Sequence, residues 1–143
     1  MVIIEPATTQ DFEHICVLDE TAHSGPSRGT IIGRALAESR CAIARVDGQV
    51  RGYVIARHDF FGHAFVELLM VHPDFRRRGL ATTLMRAVEL DAPTEKLFTS
   101  TNQSNLPAQQ LFERLGFIRS GVIENLDEAD PEIVYFKPIT AKL

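Results

Sequence analysis

The apolar positions of this chain change period several times, and each change marks an element. The opening run MVIIEP is β-branched and stopped by Pro6, which predicts a strand. Thr8, with Asp11 three residues on, has the form of a helix cap, and Phe12, Ile15 and Cys16 then mark one helical face. AHSGPSRG, from Ala22 to Gly29, is rich in breakers and predicts a polar loop. Ile32, Ala35 and Leu36 return at helical spacing and predict a second, short helix.

The period then shortens. CAIARV and QVRGYVIARHD flank Asp47-Gly48, a dipeptide that between two such runs signals a hairpin. HAFVELLMV, from His63 to Val71, is a third strand in a row and is apolar on both faces except at Glu67. That pattern predicts a mid-sheet strand covered on both sides. From Gly79 the helical period resumes through Leu80, Leu84, Ala87 and Val88, until Ala92-Pro93 ends it. KLFTST reads as a strand, and Asn105 caps a helix carrying Ala108, Leu111, Phe112 and Leu115 that stops at Gly116. FIRSGVIE and EIVYFKPI are two last strands around an acidic loop. The order βααβββαβαββ predicts an α/β fold with one mixed sheet and helices on both faces. No linker or repeat divides the chain, so residues 1–143 are expected to form a single domain.

Composition narrows the function. The 143 residues carry a formal charge of −4, with 45% hydrophobic and 24% charged residues, as in an ordinary globular protein. A chain that wraps nucleic acid carries a broad basic excess, so nucleic acid is not an expected partner, although a local basic pocket for a small anion remains compatible. Cys16 and Cys41 lack the paired spacing of a metal or redox motif, and both read as small buried side chains in a reduced compartment; no metal is expected. No apolar run reaches membrane-spanning length, and MVIIEPATTQDF lacks the basic flank and apolar core of a signal peptide. The expected location is the cytoplasm, with no membrane partner.

The candidate chemistry sits where the third hairpin strand meets the next helix. VHPDFRRRGLA places Arg76, Arg77 and Arg78 just before Gly79 at a helix start. First-turn amides lack intrahelical partners, and the helix dipole adds partial positive charge there. A phosphate or pyrophosphate is the anion such a junction suits. The alternative is a solvated charge run, but cations at a helix start oppose its dipole, so a structural role has little motive. The stretch is not a P-loop, since no Lys-Ser or Lys-Thr pair follows the glycine, and it lacks the Gly-x-Gly-x-x-Gly dinucleotide fingerprint.

VHPDFRRRGLATTLM resembles the acetyl-CoA motif of the GNAT superfamily of N-acetyltransferases, Arg/Gln-x-x-Gly-x-Gly/Ala, at Arg76, Gly79 and Ala81. NLPAQQLFERLGF is similar to the later motif of the same family at Asn105, Ala108, Leu111, Glu113, Gly116 and Phe117. The resemblance implies a mostly antiparallel sheet whose fourth strand splays from the fifth, so that pantetheine inserts like an extra strand. It implies that backbone groups of Met70 and Val71 bond the pantetheine arm. The amides of Arg77, Arg78, Gly79, Leu80, Ala81 and Thr82 would cradle the pyrophosphate, and Asn105 would contact the coenzyme from the other side. Acetyl-CoA is the implied co-substrate, a primary amine on a small molecule or peptide the acceptor, and a homodimer a common assembly.

Catalysis in this family is direct attack of the amine on the thioester. A backbone amide near Val71 is the implied oxyanion donor. Glu67 has two readings: a residue paired with a nearby arginine, or the base that deprotonates the acceptor ammonium, its pKa raised by desolvation. The motif's tyrosine, often assigned as the acid for the leaving thiolate, is replaced by Phe112, which can pack against the thioester but has no proton to give. Tyr135 has a hydroxyl and offers a substitute, its plainer reading being core packing with a satisfied hydroxyl. His58 and His63 bracket a tight turn, and His72 precedes Pro73 at the junction. ENLDEADPE, from Glu124 to Glu132, is a solvated hairpin loop or an acidic rim that favours a cationic amine. Phe112 also keeps a second function class open: a non-catalytic acyl-CoA sensor or partner-binding module.

Overall fold

The computed structural model describes residues 1–23 and 25–139. Its strands are β1 Val2–Pro6, β2 Cys41–Val46, β3 Gln49–Phe60, β4 His63–Val71, β5 Lys96–Asn102, β6 Ile118–Ile123 and β7 Glu132–Pro138. Its helices are α1 Phe12–His23, α2 Gly29–Ala37, α3 Leu80–Asp91 and α4 Leu106–Arg114. The strands join in one seven-stranded sheet, ordered β1-β2-β3-β4-β5-β7-β6. The order of elements follows the pattern of apolar positions, and the sheet is mixed, with β4 and β5 parallel and the other described pairings antiparallel. The described chain clusters into two compact units, Met1–Ala56 with Glu67–Asp91, and Arg57–Val66 with Ala92 onward.

In the first unit, β1 pairs with β2 and β2 with β3, the latter turning at Asp47 (φ 51°) and Gly48 (φ 85°). Positive φ at both central residues is what a two-residue hairpin with native twist requires, hence Asp-Gly. Thr8 and Asp11 form a reciprocal capping box over a 3-10 turn, Thr9–Asp11, that leads into α1. Ile15, Leu18, Ile32, Ala35 and Leu36 from α1 and α2 bury against Cys41, Ile43, Tyr53 and Ile55 of β2 and β3. Helices lie on both faces of this part of the sheet. A Cβ on Gly52 would stand 3.1 Å from Leu84 of α3, whereas the next residue, Tyr53, reaches Asp19 on α1. Successive strand residues point to opposite faces.

In the second unit, β4 and β5 form a short parallel ladder, Ala64↔Leu97 through Val66↔Thr99, fastened by the Thr99 hydroxyl donating to the Val66 carbonyl at 3.2 Å. β5 pairs with β7 along its whole length, and β6 is an edge strand exposed at every position. Phe60, Phe65, Phe98 and Phe136 form a chain of ring contacts, with centroids 4.6 to 5.4 Å apart.

Three expectations need correction. Cys16 is half-buried, and only Cys41 belongs to the buried core. β4 is mid-sheet, as expected, but incompletely covered: Glu67, Leu68, Leu69 and Met70 are all half-buried. Phe12 starts the face of α1 but stays partly exposed, its ring lying over α2, 3.5 Å from where a Cβ on Gly33 would stand.

Candidate functional site

The junction between β4 and α3 lies wholly within the first unit. After Val71, the His72 ring turns back so that its Nδ1 accepts from the Asp74 amide at 3.1 Å. Pro73–Phe75 form a 3-10 turn. Arg76 is extended and donates from Nη2 to the carbonyl of Ala22 at 3.3 Å. Arg77 then takes a left-handed conformation (φ 63°), and so does Gly79 (φ 80°). Alternation of this kind turns successive amides toward one side and makes a concavity for an anion. A non-glycine residue at such a φ costs about 1–2 kcal/mol, so the loop stores strain where its shape matters.

The first bond of α3 is from the Thr83 amide to the Gly79 carbonyl, 3.0 Å, reinforced by the Thr83 hydroxyl at 2.8 Å. The amides of Leu80, Ala81 and Thr82 therefore precede the first intrahelical acceptor and are free to donate outward. A Cβ on Gly79 would meet nothing within 4 Å, so the space over the loop is open. Arg76, Arg77 and Arg78 are exposed, and none forms an ion pair among the described residues. The Arg78 guanidinium carbon lies 4.9 Å from the centre of the Phe75 ring, and that of Arg51 lies 4.7 Å from it.

Along β4, Val71 is buried and Met70 packs against the core of this unit. Glu67 Oε1 lies 3.6 Å from Arg40 Nη1, and Arg40 also binds Glu38 and the Ala56 carbonyl. The arginine pairing foreseen for Glu67 is present, at long range.

In the second unit, Asn105 caps α4, its Oδ1 accepting from the Ala108 amide at 3.2 Å. Gly116 ends the helix at φ 94°, and the Phe117 amide bonds back to the Phe112 carbonyl at 2.9 Å. Phe112 is buried, its ring 5.8 Å from Phe117 and 5.5 Å from Tyr135. Tyr135 is fully buried, and its hydroxyl has no hydrogen-bond partner among the described residues, contrary to the expected satisfied hydroxyl. Burial, with Glu113 nearby, pushes the phenol pKa up, so it stays protonated. His63 also has a buried ring nitrogen, Nδ1, without a described partner, whereas His58 is exposed.

The acidic loop is less of a free rim than its sequence suggests. Asp127 accepts from Asn102 Nδ2 at 2.7 Å, Asp130 from the amide and hydroxyl of Ser104, and Glu132 from the Ser100 hydroxyl at 2.7 Å. These bonds tie the loop to the end of β5, and Glu124 and Glu128 are left exposed.

One constellation escaped the sequence. Asp19, fully buried on α1, accepts from the Tyr53 hydroxyl at 2.6 Å and from the backbone and side chain of Arg28. It fastens the end of the Ala22–Gly29 stretch to the sheet. A tyrosine in the middle of an apolar strand was the available signal, since a buried phenol needs a partner.

A family model, the Acetyltransferase (GNAT) family, matches residues 8–117, a span that includes the loop and both motifs. The chain belongs to the GNAT family of acetyltransferases. An acetyltransferase of the GNAT family from Bacillus cereus has a solved structure with a TM-score of 0.91 to this one, at 37% identity over 98% of this chain and 99% of that one. An N-alpha-acetyltransferase from Saccharolobus solfataricus is 31% identical over 110 residues, which are 65% of this chain and 64% of that protein. A mycothiol acetyltransferase from Corynebacterium kroppenstedtii is 59% identical over 51 residues, 36% of this chain and 13% of that protein. This GNAT chain thus matches less than two thirds of the length of either of these last two. No described helix is long and apolar enough to cross a membrane, and no described group of His, Cys, Asp and Glu has the arrangement of a metal site.

Proposed function

We propose that this chain is an acetyl-CoA-dependent N-acetyltransferase acting on a primary amine, with residues 1–143 working as one catalytic domain in the cytoplasm. The observation that carries the reading is the loop at Arg77–Thr82. Its two left-handed residues and three unspent first-turn amides fit a pyrophosphate, and the open space over Gly79 admits one. In this reading Arg76, Arg77 and Arg78 add charge to a cradle made mainly of backbone. Met70 and Val71 bond the pantetheine arm through their backbone, and Asn105 and Phe112 contact the coenzyme from α4.

The coenzyme supplies a thioester carbonyl. The attacking amine forms the new C–N bond and the C–S bond breaks, so the acetyl group leaves the sulfur as the amine loses a proton. Val71 donates its amide to the developing oxyanion. Glu67 is the candidate base, with Arg40 holding its carboxylate in place. Tyr135 is the candidate donor to the thiolate, supported by a protonated phenol without a partner beside Phe112. Positioning the two reactants supplies much of the rate, so no single side chain carries it all.

The relatives' names, N-alpha-acetyltransferase and mycothiol acetyltransferase, differ, and the acceptor here is left as a primary amine of a small molecule or peptide. Glu124 and Glu128, the loop acids without a described role, support a preference for cationic acceptors. Thiol release from acetyl-CoA over a panel of amines, peptides and polyamines included, tests the reading. Acetyl transfer to at least one amine is expected; coenzyme binding with no thiol release for any amine would favour the sensor instead.

A further inference from the structure

The first unit holds a cavity of about 410 Å³ whose lining includes none of the residues from Arg76 to Thr82. α1 contributes His14, Val17, Leu18 and Thr21 to its wall, the β2–β3 hairpin contributes Arg45, Gly48, Gln49, Val50 and Arg51, and His72 closes one side. The volume falls within the range of small-molecule sites. Buried Leu18 and Val50 give it an apolar floor, the exposed Val17 an apolar edge, and no carboxylate lines it.

Arg45, Gln49, Arg51 and His72 bring donors to it. Arg45 is already committed to Glu5 and Asp11. Arg51 is not: it forms no described ion pair, bonding only Gln49 and lying over Phe75, and its Nε is buried without a hydrogen-bond partner. His72 accepts at Nδ1 from the Asp74 amide, so in the neutral ring Nε2 carries the hydrogen and is a donor. Gln49 spends its carbonyl on Arg51, which leaves its amide hydrogens to donate. A guanidinium without a carboxylate partner, beside other donors, is matched by an oxyanion.

We propose that this cavity is a second ligand site, separate from the coenzyme loop, for a carboxylate or phosphate group borne on a compact apolar body. Arg51 and His72 hold the oxyanion, and Val17, Leu18 and Val50 cover the apolar part. The site also touches the coenzyme loop, because His72 holds the turn that leads into it and Phe75 lies under both Arg51 and Arg78.

Benzoate and phenyl phosphate serve as probes, with benzyl alcohol as the neutral control and histidine ring NMR signals as the readout. Titration of the full chain is expected to shift the His14 and His72 signals with either anion and not with the alcohol, and the tighter anion identifies the headgroup. Arg51→Gln is expected to weaken the anion by about tenfold or more, the loss of a charged hydrogen-bond partner. The anion is expected to bind equally when coenzyme A is saturating. No shift with either anion, equal binding of the alcohol, or unchanged affinity in Arg51→Gln would overturn the site. Displacement of the probe by coenzyme A would assign the cavity to the coenzyme and overturn its independence. The comparison of benzoate with benzyl alcohol on the unaltered chain decides the matter even if the variant fails to fold. Coenzyme binding measured on the same sample keeps this outcome distinct from the coenzyme reading.

Discussion

Replacing Tyr53 by phenylalanine removes one hydroxyl and keeps the ring that fills the core between α1 and β3. The bond lost is the 2.6 Å contact to the Asp19 carboxylate, with both residues fully buried. A hydrogen bond to a charged group contributes about 1.5–3 kcal/mol. Asp19 is not stripped bare, since both carboxylate oxygens still accept from Arg28, and the cost belongs toward the lower end of that range. At about 2 cal/mol/K per residue, unfolding this 143-residue chain carries an entropy of about 0.3 kcal/mol/K. Tyr53→Phe should therefore lower Tm by about 5–7 °C in calorimetry or by circular dichroism. By contrast, Asp19→Ala leaves Arg28 and Tyr53 without their shared acceptor and should cost more, about 3–5 kcal/mol. A Tm for Tyr53→Phe within about 1 °C of the parent would refute the assigned strength of this contact.

Three further outcomes follow from the same structure. Burial works to raise the Asp19 pKa, but the bonds from Arg28 and Tyr53 outweigh it and hold the carboxyl below its ordinary value. Its contribution is then complete above the unfolded carboxylate pKa of about 3.9 and is lost as pH falls through the lower folded value, so acid denaturation should shift to higher pH in Asp19→Asn. Arg77→Gly relieves about 1–2 kcal/mol of left-handed strain against about 0.5–1 of added chain entropy, so a thermal melt should show Tm unchanged or a few degrees higher; a clear fall would contradict the strain. Tyr135→Phe removes an unpaired buried hydroxyl, so stability should hold or rise by up to about 1 kcal/mol while turnover with acetyl-CoA falls; lower stability with unchanged turnover would give the phenol a structural role.

The legible parts of this fold were those set by local chemistry. Asp47-Gly48 required positive φ at both positions and obtained it, and Asn105 and Gly116 bounded α4 through a cap and a left-handed stop. The loop at Arg76–Gly79 was legible as a junction, because a strand, a turn and a helix start are each written in a few adjacent residues. The conformation of Arg77 was not, since arginine gives no signal for the left-handed region. Contacts across long sequence separation were also silent. Asp19 and Tyr53 are 34 residues apart, and nothing in either neighbourhood names the other. Ser100 and Glu132 are 32 apart, and their bond turned an apparent rim acid into a tie between strands. The satisfied hydroxyl expected at Tyr135 failed for a related reason. Its ring lies against the apolar Phe112, a pairing set by how α4 lies on β7 and not by any local pattern.

Calorimetry with coenzyme A on Gly79→Glu, with Gly79→Ala beside it, tests the coenzyme cradle most directly. Both variants carry the same backbone cost at φ 80°, and neither Cβ meets a neighbour within 4 Å, so the alanine form isolates strain from charge. A carboxylate at that position faces the pyrophosphate, and affinity should fall about tenfold or more below that of Gly79→Ala. Equal affinity in the two variants, and in the parent, would contradict a pyrophosphate site at this loop.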